Sequence, residues 1–178
     1  MTVSVFDSPL HRDLFGDGEI ARLFSDSAEV RAMMLVLGQL AKAQGAAGTI
    51  PEVSGAFLHR AMMEVQIDPA GLAAGTGANG VTVPGLVAAL RRVLDAPEHA
   101  QYLHWGATSQ DIQDTALMLR LRRALDLIEA EGCTVVLGVP TIWKMLLEAP
   151  EMEQVDLRRI RWLISGGAPL PHYLIEAY

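Results

Sequence analysis

The apolar positions of this chain change their period near residue 132, and that change divides the sequence in two. Before it, Val30, Met33, Met34, Leu37 and Leu40 recur three and four apart behind Ser25-Asp26-Ser27-Ala28-Glu29. That segment supplies capping side chains and an early acidic residue, so a helix is predicted from there to Gly45 or Gly48. Met33 to Leu37 are apolar nearly all round, which predicts burial on more than one side and core packing for the methionine pair. Ser8 to Gly18 lacks a long period and reads as an arm with at most a short helix. Pro51 suits the first turn of a second helix through Val53, Phe57, Leu58, Ala61 and Met62, on which His59 is expected as a surface or capping group. Asp68-Pro69 opens a short helix that the Gly-rich run Gly71 to Gly80 is expected to break, with Asn79-Gly80 as a turn. A further helix covers Pro84 to Leu94. The longest runs from Ser109 to about Glu131, burying Ile112, Ala116, Leu119, Leu121, Leu125 and Ile128, with Arg120, Arg122, Arg123, Asp126 and Glu129 on its other sides.

Past Gly132 the texture is different. Thr134-Val135-Val136-Leu137-Gly138-Val139 is a β-branched run between Gly132 and Pro140, and predicts a buried strand. Pro140 to Leu147 reads as a helix, and Arg161 to Ser165 as a second strand closed by Gly166-Gly167. A last helix runs from Pro169 or Pro171 to Tyr178. Strand-helix-strand-helix implies a parallel α/β arrangement after a wholly helical start. The fold class expected is therefore mainly α, with a helical domain over 1–131 and a short α/β appendix over 132–178. Two strands bury little, so the appendix should be the less stable part, and exposed apolar surface on it and on the long helix predicts self-association.

Composition narrows the function. With 51% hydrophobic and 20% charged residues among 178, the chain should fold. A net charge of −7 argues against nucleic acid and anionic membranes as partners. The single Cys133 allows no internal disulfide and favours a reducing, cytoplasmic setting. Met1 to Leu10 has no signal-peptide pattern, and no apolar run reaches the ~18 residues of a membrane helix. The glycines of 71–80 do not match GxGxxG and follow no strand, which rejects a nucleotide loop there.

Functional groups concentrate in His104-Trp105-Gly106-Ala107-Thr108-Ser109-Gln110-Asp111, where the longest helix begins. Thr108 and Asp111 fit a capping box, which accounts for two polar residues without any function. The same helix N-terminus, with free amides and small hydroxyls, is equally a seat for a carboxylate, to which His104 could donate a hydrogen bond or a charge.

The run His-Trp-Gly-Ala-Thr-Ser-Gln-Asp-Ile-Gln-Asp-Thr-Ala from His104 resembles the first signature of the fumarase/aspartase superfamily. With Phe6 to Leu10, Leu23 to Ala46 and Pro97 to Leu103, the likeness runs nearly continuously to about Ala130, and is greatest to the carboxymuconate cycloisomerase branch of aromatic degradation. It implies the N-terminal helical domain of a homotetrameric lyase that uses no metal or organic cofactor. That chemistry closes a lactone by adding a substrate carboxylate across a double bond. His104, Thr108 and Ser109 would hold carboxylates of an anionic di- or tricarboxylate, with Gln110 and Asp111 shaping the turn and Asn79 lining the same site. The resemblance also implies two further regions, one with a histidine and one a loop with a catalytic serine in a Gly-Ser-Ser…Met-Pro-Lys pattern. Neither is found in this sequence, so no catalytic residue is assigned.

Val135 to Tyr178, with Gly138-Val139-Pro140-Thr141-Ile142-Trp143-Lys144 and Ser165-Gly166-Gly167-Ala168-Pro169-Leu170, is similar to a middle segment of acyl-CoA synthetases and other adenylate-forming enzymes. In that family Gly166, Gly167 and Ala168 would pack against adenine, although turn chemistry alone also explains them. The phosphate loop and the other motifs of that family are absent. The sequence therefore reads as a chimera joined between Glu131 and Cys133.

Overall fold

Helix caps set the frame of the N-terminal part. Asp17 accepts from the amides of Glu19 and Ile20 and starts α2 (Gly18–Leu23), which follows the single turn α1 (Arg12–Phe15). Ser25 accepts from Ala28 N and starts α3 (Asp26–Ala46). The computed structural model describes residues 8–138, 140–148, 155–156, 158–165, 169 and 171–177. It divides into two units, residues 1–120 and 121–178.

In the first unit, α3 packs along α4 (Glu52–Glu64), joined by a turn in which Gly48 takes a left-handed φ of 71°. Met33, Met34 and Leu37 are all fully buried, as the all-round apolar pattern predicts, and they share one core with Leu58, Met62, Leu86, Leu90, Leu103 and Ile112. The two helices approach unusually closely. A Cβ on Gly55 would stand 2.6 Å from Ala41 O and 3.1 Å from Gly45 Cα, and one on Gly38 would stand 2.9 Å from Met62 Cβ. The Arg31 guanidinium donates to Met62 O and Met63 O (2.6 and 3.0 Å) and so satisfies carbonyls at the end of α4.

Asp68 caps a 3-10 turn (Pro69–Leu72), which leads into α5 (Ala73–Asn79). The Gly-rich run therefore does not break the helix. It continues one, and Gly80 ends it in the left-handed conformation. One of its glycines serves packing: a Cβ on Gly75 would lie 3.3 Å from Gly85 Cα of α6 (Val83–Leu94), so the two backbones nearly touch. Pro51 stands at the N-cap of α4 rather than inside its first turn. The turn α7 (Pro97–Ala100) then leads to α8 (Ser109–Ala130).

Along α8, Ile112, Ala116, Leu121, Ala124 and Leu125 are buried, while Leu119 is exposed. Arg120, expected on an outer side, has a side chain only 12% exposed, because its guanidinium reaches Glu29 (3.4 Å) and lies over the Phe24 ring (5.7 Å).

In the second unit, β1 (Val135–Gly138) pairs in parallel with β2 (Trp162–Ser165), Val135 opposite Trp162 and Gly138 opposite Ser165. Between them in sequence lies α9 (Pro140–Glu148), and α10 (His172–Ala177) follows. Trp143, Leu146 and Leu174 are buried, and the Trp143 indole lies so close to Gly138 that a Cβ there would meet it at 2.9 Å. The strands are not buried, contrary to their apolar composition. Trp162 is 65% exposed, and Val135 and Ile164 are exposed too. A parallel sheet ordinarily has both faces covered, whereas among the described residues Leu163 on one face is exposed as well as Trp162 and Ile164 on the other. Among the described residues, no helix is long and apolar enough to cross a membrane.

Candidate functional site

The turn leading into α8 is held from several directions. After α7 the chain coils through hydrogen bonds from Tyr102 N to His99 O and from Trp105 N to Tyr102 O. Arg91, on α6, donates to Ala100 O (3.2 Å) and Leu103 O (3.3 Å), fixing this segment on the core through buried Leu103. Ser54, the one buried polar residue among those described, meets His99 Nδ1 at 3.0 Å, and the His99 ring packs on Phe57.

At the turn itself the backbone is strained. His104 has φ 65°, in the left-handed region that costs a residue with a Cβ about 1 kcal/mol or more. Gly106 has φ 68°, where glycine bears no such cost. Gln44, near the end of α3, donates its amide N–H to Trp105 O at 2.7 Å. His104 Nε2 and Gln44 Oε1 are both sealed from solvent, and neither has a hydrogen-bond partner among the described residues. The Trp105 ring is half exposed and meets Tyr102 edge-on.

The helix start behaves as the capping box requires on its acidic side, with Asp111 accepting from Thr108 N–H at 2.9 Å. Asp111 is therefore occupied in structure. Gln110 is occupied as well, since its amide donates to Asp114 one turn on. The hydroxyls of Thr108 and Ser109 make no hydrogen bond among the described residues, and the first amides of α8 are those of a helix N-terminus. This leaves a left-handed histidine, two hydroxyls and a positive helix end within six residues, an arrangement suited to holding an anion.

Asn79 is placed differently. It is the last residue of α5, exposed, and its amide donates to Gly75 O at 2.7 Å as a helix-terminal contact. No hydrogen bond joins it to the 104–111 turn among the described residues. Gly166, Gly167 and Ala168 lie outside the described residues. Sequence reasoning missed Gln44 and Arg91, which act on this turn from other helices and carry no local motif.

Comparison with known proteins finds similarity to two groups. A family model described as AMP-binding enzyme matches residues 98–178. Among curated proteins, the chain is 38% identical over 133 residues to 3-carboxy-cis,cis-muconate cycloisomerase of Pseudomonas putida, which covers 74% of this chain and 30% of that protein. It is 38% identical over 130 residues to nitrosuccinate lyase of Streptomyces davaonensis, covering 72% of the chain and 27% of the relative. The crystal structure of 3-carboxy-cis,cis-muconate lactonizing enzyme from P. putida superposes with a TM-score of 0.65 at 33% identity, over 79% of this chain and 31% of that one. A fumarate lyase from Mesorhizobium sp. BNC1 superposes with a TM-score of 0.62 at 30% identity, over 74% and 29%. The chain thus spans about 30% of the length of these relatives.

Proposed function

We propose, for a chain whose helical part resembles the N-terminal part of 3-carboxy-cis,cis-muconate cycloisomerases and has the fold of a fumarase/aspartase-type lyase, that the turn into α8 binds a di- or tricarboxylate and that these residues alone do not convert it. The observation that carries this reading is His104: a strained backbone next to two hydroxyls without partners among the described residues, at the head of a helix N-terminus. Backbone strain of this kind concentrates at functional sites, where a ligand offsets its cost. Thr108 and Ser109 complete the seat, with Gln110 shaping it and Asn79 at its margin.

In this reading, lactonisation of 3-carboxy-cis,cis-muconate needs a histidine region and a serine loop that these residues do not include. The junction between Glu131 and Cys133 joins the lyase-like part to a segment similar to adenylate-forming enzymes, whose Gly166-Gly167-Ala168 turn would face adenine. Exposed Trp162, Ile164 and Val135 favour self-association of a cytoplasmic chain.

Calorimetry with succinate and tricarballylate, comparing the chain with His104→Ala and Ser109→Ala, tests the seat. Binding heat in the unmodified chain that falls at least tenfold in affinity in His104→Ala is expected. Equal heats in all three would remove the site. Adding 3-carboxy-cis,cis-muconate and following its ultraviolet absorbance tests the second half of the proposal. No loss above background is expected, and enzyme-dependent loss would refute it.

A further inference from the structure

Two polar atoms of the α8 turn lack partners, and their chemistries are complementary. Gln44 Oε1 is an amide oxygen that only accepts, while His104 Nε2 can donate when it carries the proton. Both are sealed from solvent, where an unmet hydrogen bond costs roughly 1–3 kcal/mol. They also belong to one local assembly. The other end of the same Gln44 amide donates to Trp105 O at 2.7 Å, the residue directly after His104, and stands 3.9 Å from the position of a Cβ on Gly106. The side chain of Gln44 is thus inserted against the turn that holds His104 at φ 65°. Gln44 sits near the end of α3, whose backbone the core already holds in place.

We propose that Gln44 is the positioning residue of His104. Its amide N–H anchors the strained turn through Trp105 O. Its amide oxygen, not in direct hydrogen-bond contact with the ring, is the acceptor for His104 Nε2–H through one buried water, and this fixes the ring's tautomer and orientation. With Nε2–H held from behind, Nδ1 is the nitrogen left for the ligand, and in the bound state both ring nitrogens carry protons, one donated to Gln44 and one to the carboxylate. Partners of this type, behind a functional histidine, are how such rings are oriented in many sites. The inference rests on the reading of the α8 turn as a carboxylate seat, but its first readout needs no ligand.

The test uses the full chain with 15N-labelled histidine, as the unmodified protein, Gln44→Met and Gln44→Glu. In the unmodified protein, the imidazole 15N shifts of His104, assigned by comparison with His104→Ala, should show the neutral ring protonated at Nε2. Gln44→Met keeps the length and removes both amide functions. It should shift the ring toward the Nδ1–H tautomer and weaken tricarballylate binding about tenfold. Gln44→Glu restores the acceptor and should recover the Nε2–H tautomer, which separates positioning from packing. A tautomer unchanged in Gln44→Met overturns the inference whether or not a ligand binds. If the unmodified chain binds tricarballylate, His104→Ala does not, and Gln44→Met binds like the unmodified chain, the seat stands and the positioning role falls. Equal binding by the unmodified chain and His104→Ala removes the seat, and the tautomer result then decides Gln44 separately.

Discussion

Replacing Gly55 with alanine puts a methyl group into the closest contact of the helical core. Its Cβ would stand 2.6 Å from Ala41 O and 3.1 Å from Gly45 Cα, both backbone atoms of α3. A backbone cannot rotate aside as a side chain can, so α3 and α4 must separate by most of an ångström at that point. The same seam carries the Gly38–Met62 contact and the fully buried Met33, Met34 and Leu58, whose packing would loosen together. Overpacking of this kind costs about 1–3 kcal/mol, and more where only backbone can yield. Against it stands the gain of replacing a helical glycine by alanine, about 1 kcal/mol. The net expectation is a loss of up to about 2 kcal/mol, with a Tm fall of roughly 4 °C per kcal/mol for a unit of this size. The matched control is Gly77→Ala in α5, where no atom lies within 4 Å of the new Cβ. There only the propensity gain remains, and stability should rise by about 0.5–1 kcal/mol. Urea unfolding followed by far-ultraviolet circular dichroism measures both. Amide exchange of α3 should show the loss in Gly55→Ala located in that helix. Equal stability changes in the two variants would refute the reasoning, because the argument depends on the crossing and not on helix propensity.

Other consequences are simpler to state. Asp111→Ala removes the acceptor of Thr108 N–H and should destabilise the chain by about 0.5–2 kcal/mol, seen as faster exchange of the first amides of α8. A double-mutant cycle of Arg120→Met and Glu29→Gln should give a coupling of about 1 kcal/mol, above that of a fully exposed pair, and zero coupling would show the contact to be incidental. Asp156 accepts two hydrogen bonds from the Arg158 side chain and one from its amide, and these hold its carboxyl below the ordinary carboxylate range. Since the folded-state value is the depressed one, its small contribution is present above the ordinary range of an aspartate and is lost as pH falls toward the folded value. A 13C titration of the carboxyl checks it, and Arg158→Ala should return the midpoint to the ordinary range. Trp162→Ser should reduce self-association measured by light scattering, and an unchanged mass would move the interface away from the sheet.

Much of the architecture was legible because it is written locally. Ser25 and Asp68 cap the helices they precede, Met33, Met34 and Leu37 are fully buried with Leu35 and Val36 half-buried, and the two β-branched runs pair in parallel. What escaped depends on pairs distant in sequence. Gly71 to Gly80 looks like a breaker until Gly75 is seen against Gly85, where absence of a side chain is the packing feature. Arg120 looks like a solvated charge until Glu29 and Phe24 are beside it. The β strands look buried because apolar composition implies a cover, but it does not supply one. The candidate site was legible to the same extent. Its polar residues are contiguous and cap chemistry predicts the role of Asp111, whereas Gln44 and Arg91 reach it from 61 and 12 residues away. The left-handed φ of His104 has no sequence signal at all.

In the proposed seat, the backbone angle of His104 sets stability and binding against each other at one position. Glycine at 104 would relieve backbone strain of about 1 kcal/mol. In a library of all substitutions at 104 screened only for folded abundance, glycine and asparagine should outscore the native histidine. In the same library screened for tricarballylate retention, the ranking should invert. Descendants of this chain no longer selected for carboxylate binding would then lose His104 early, because stability alone favours its replacement.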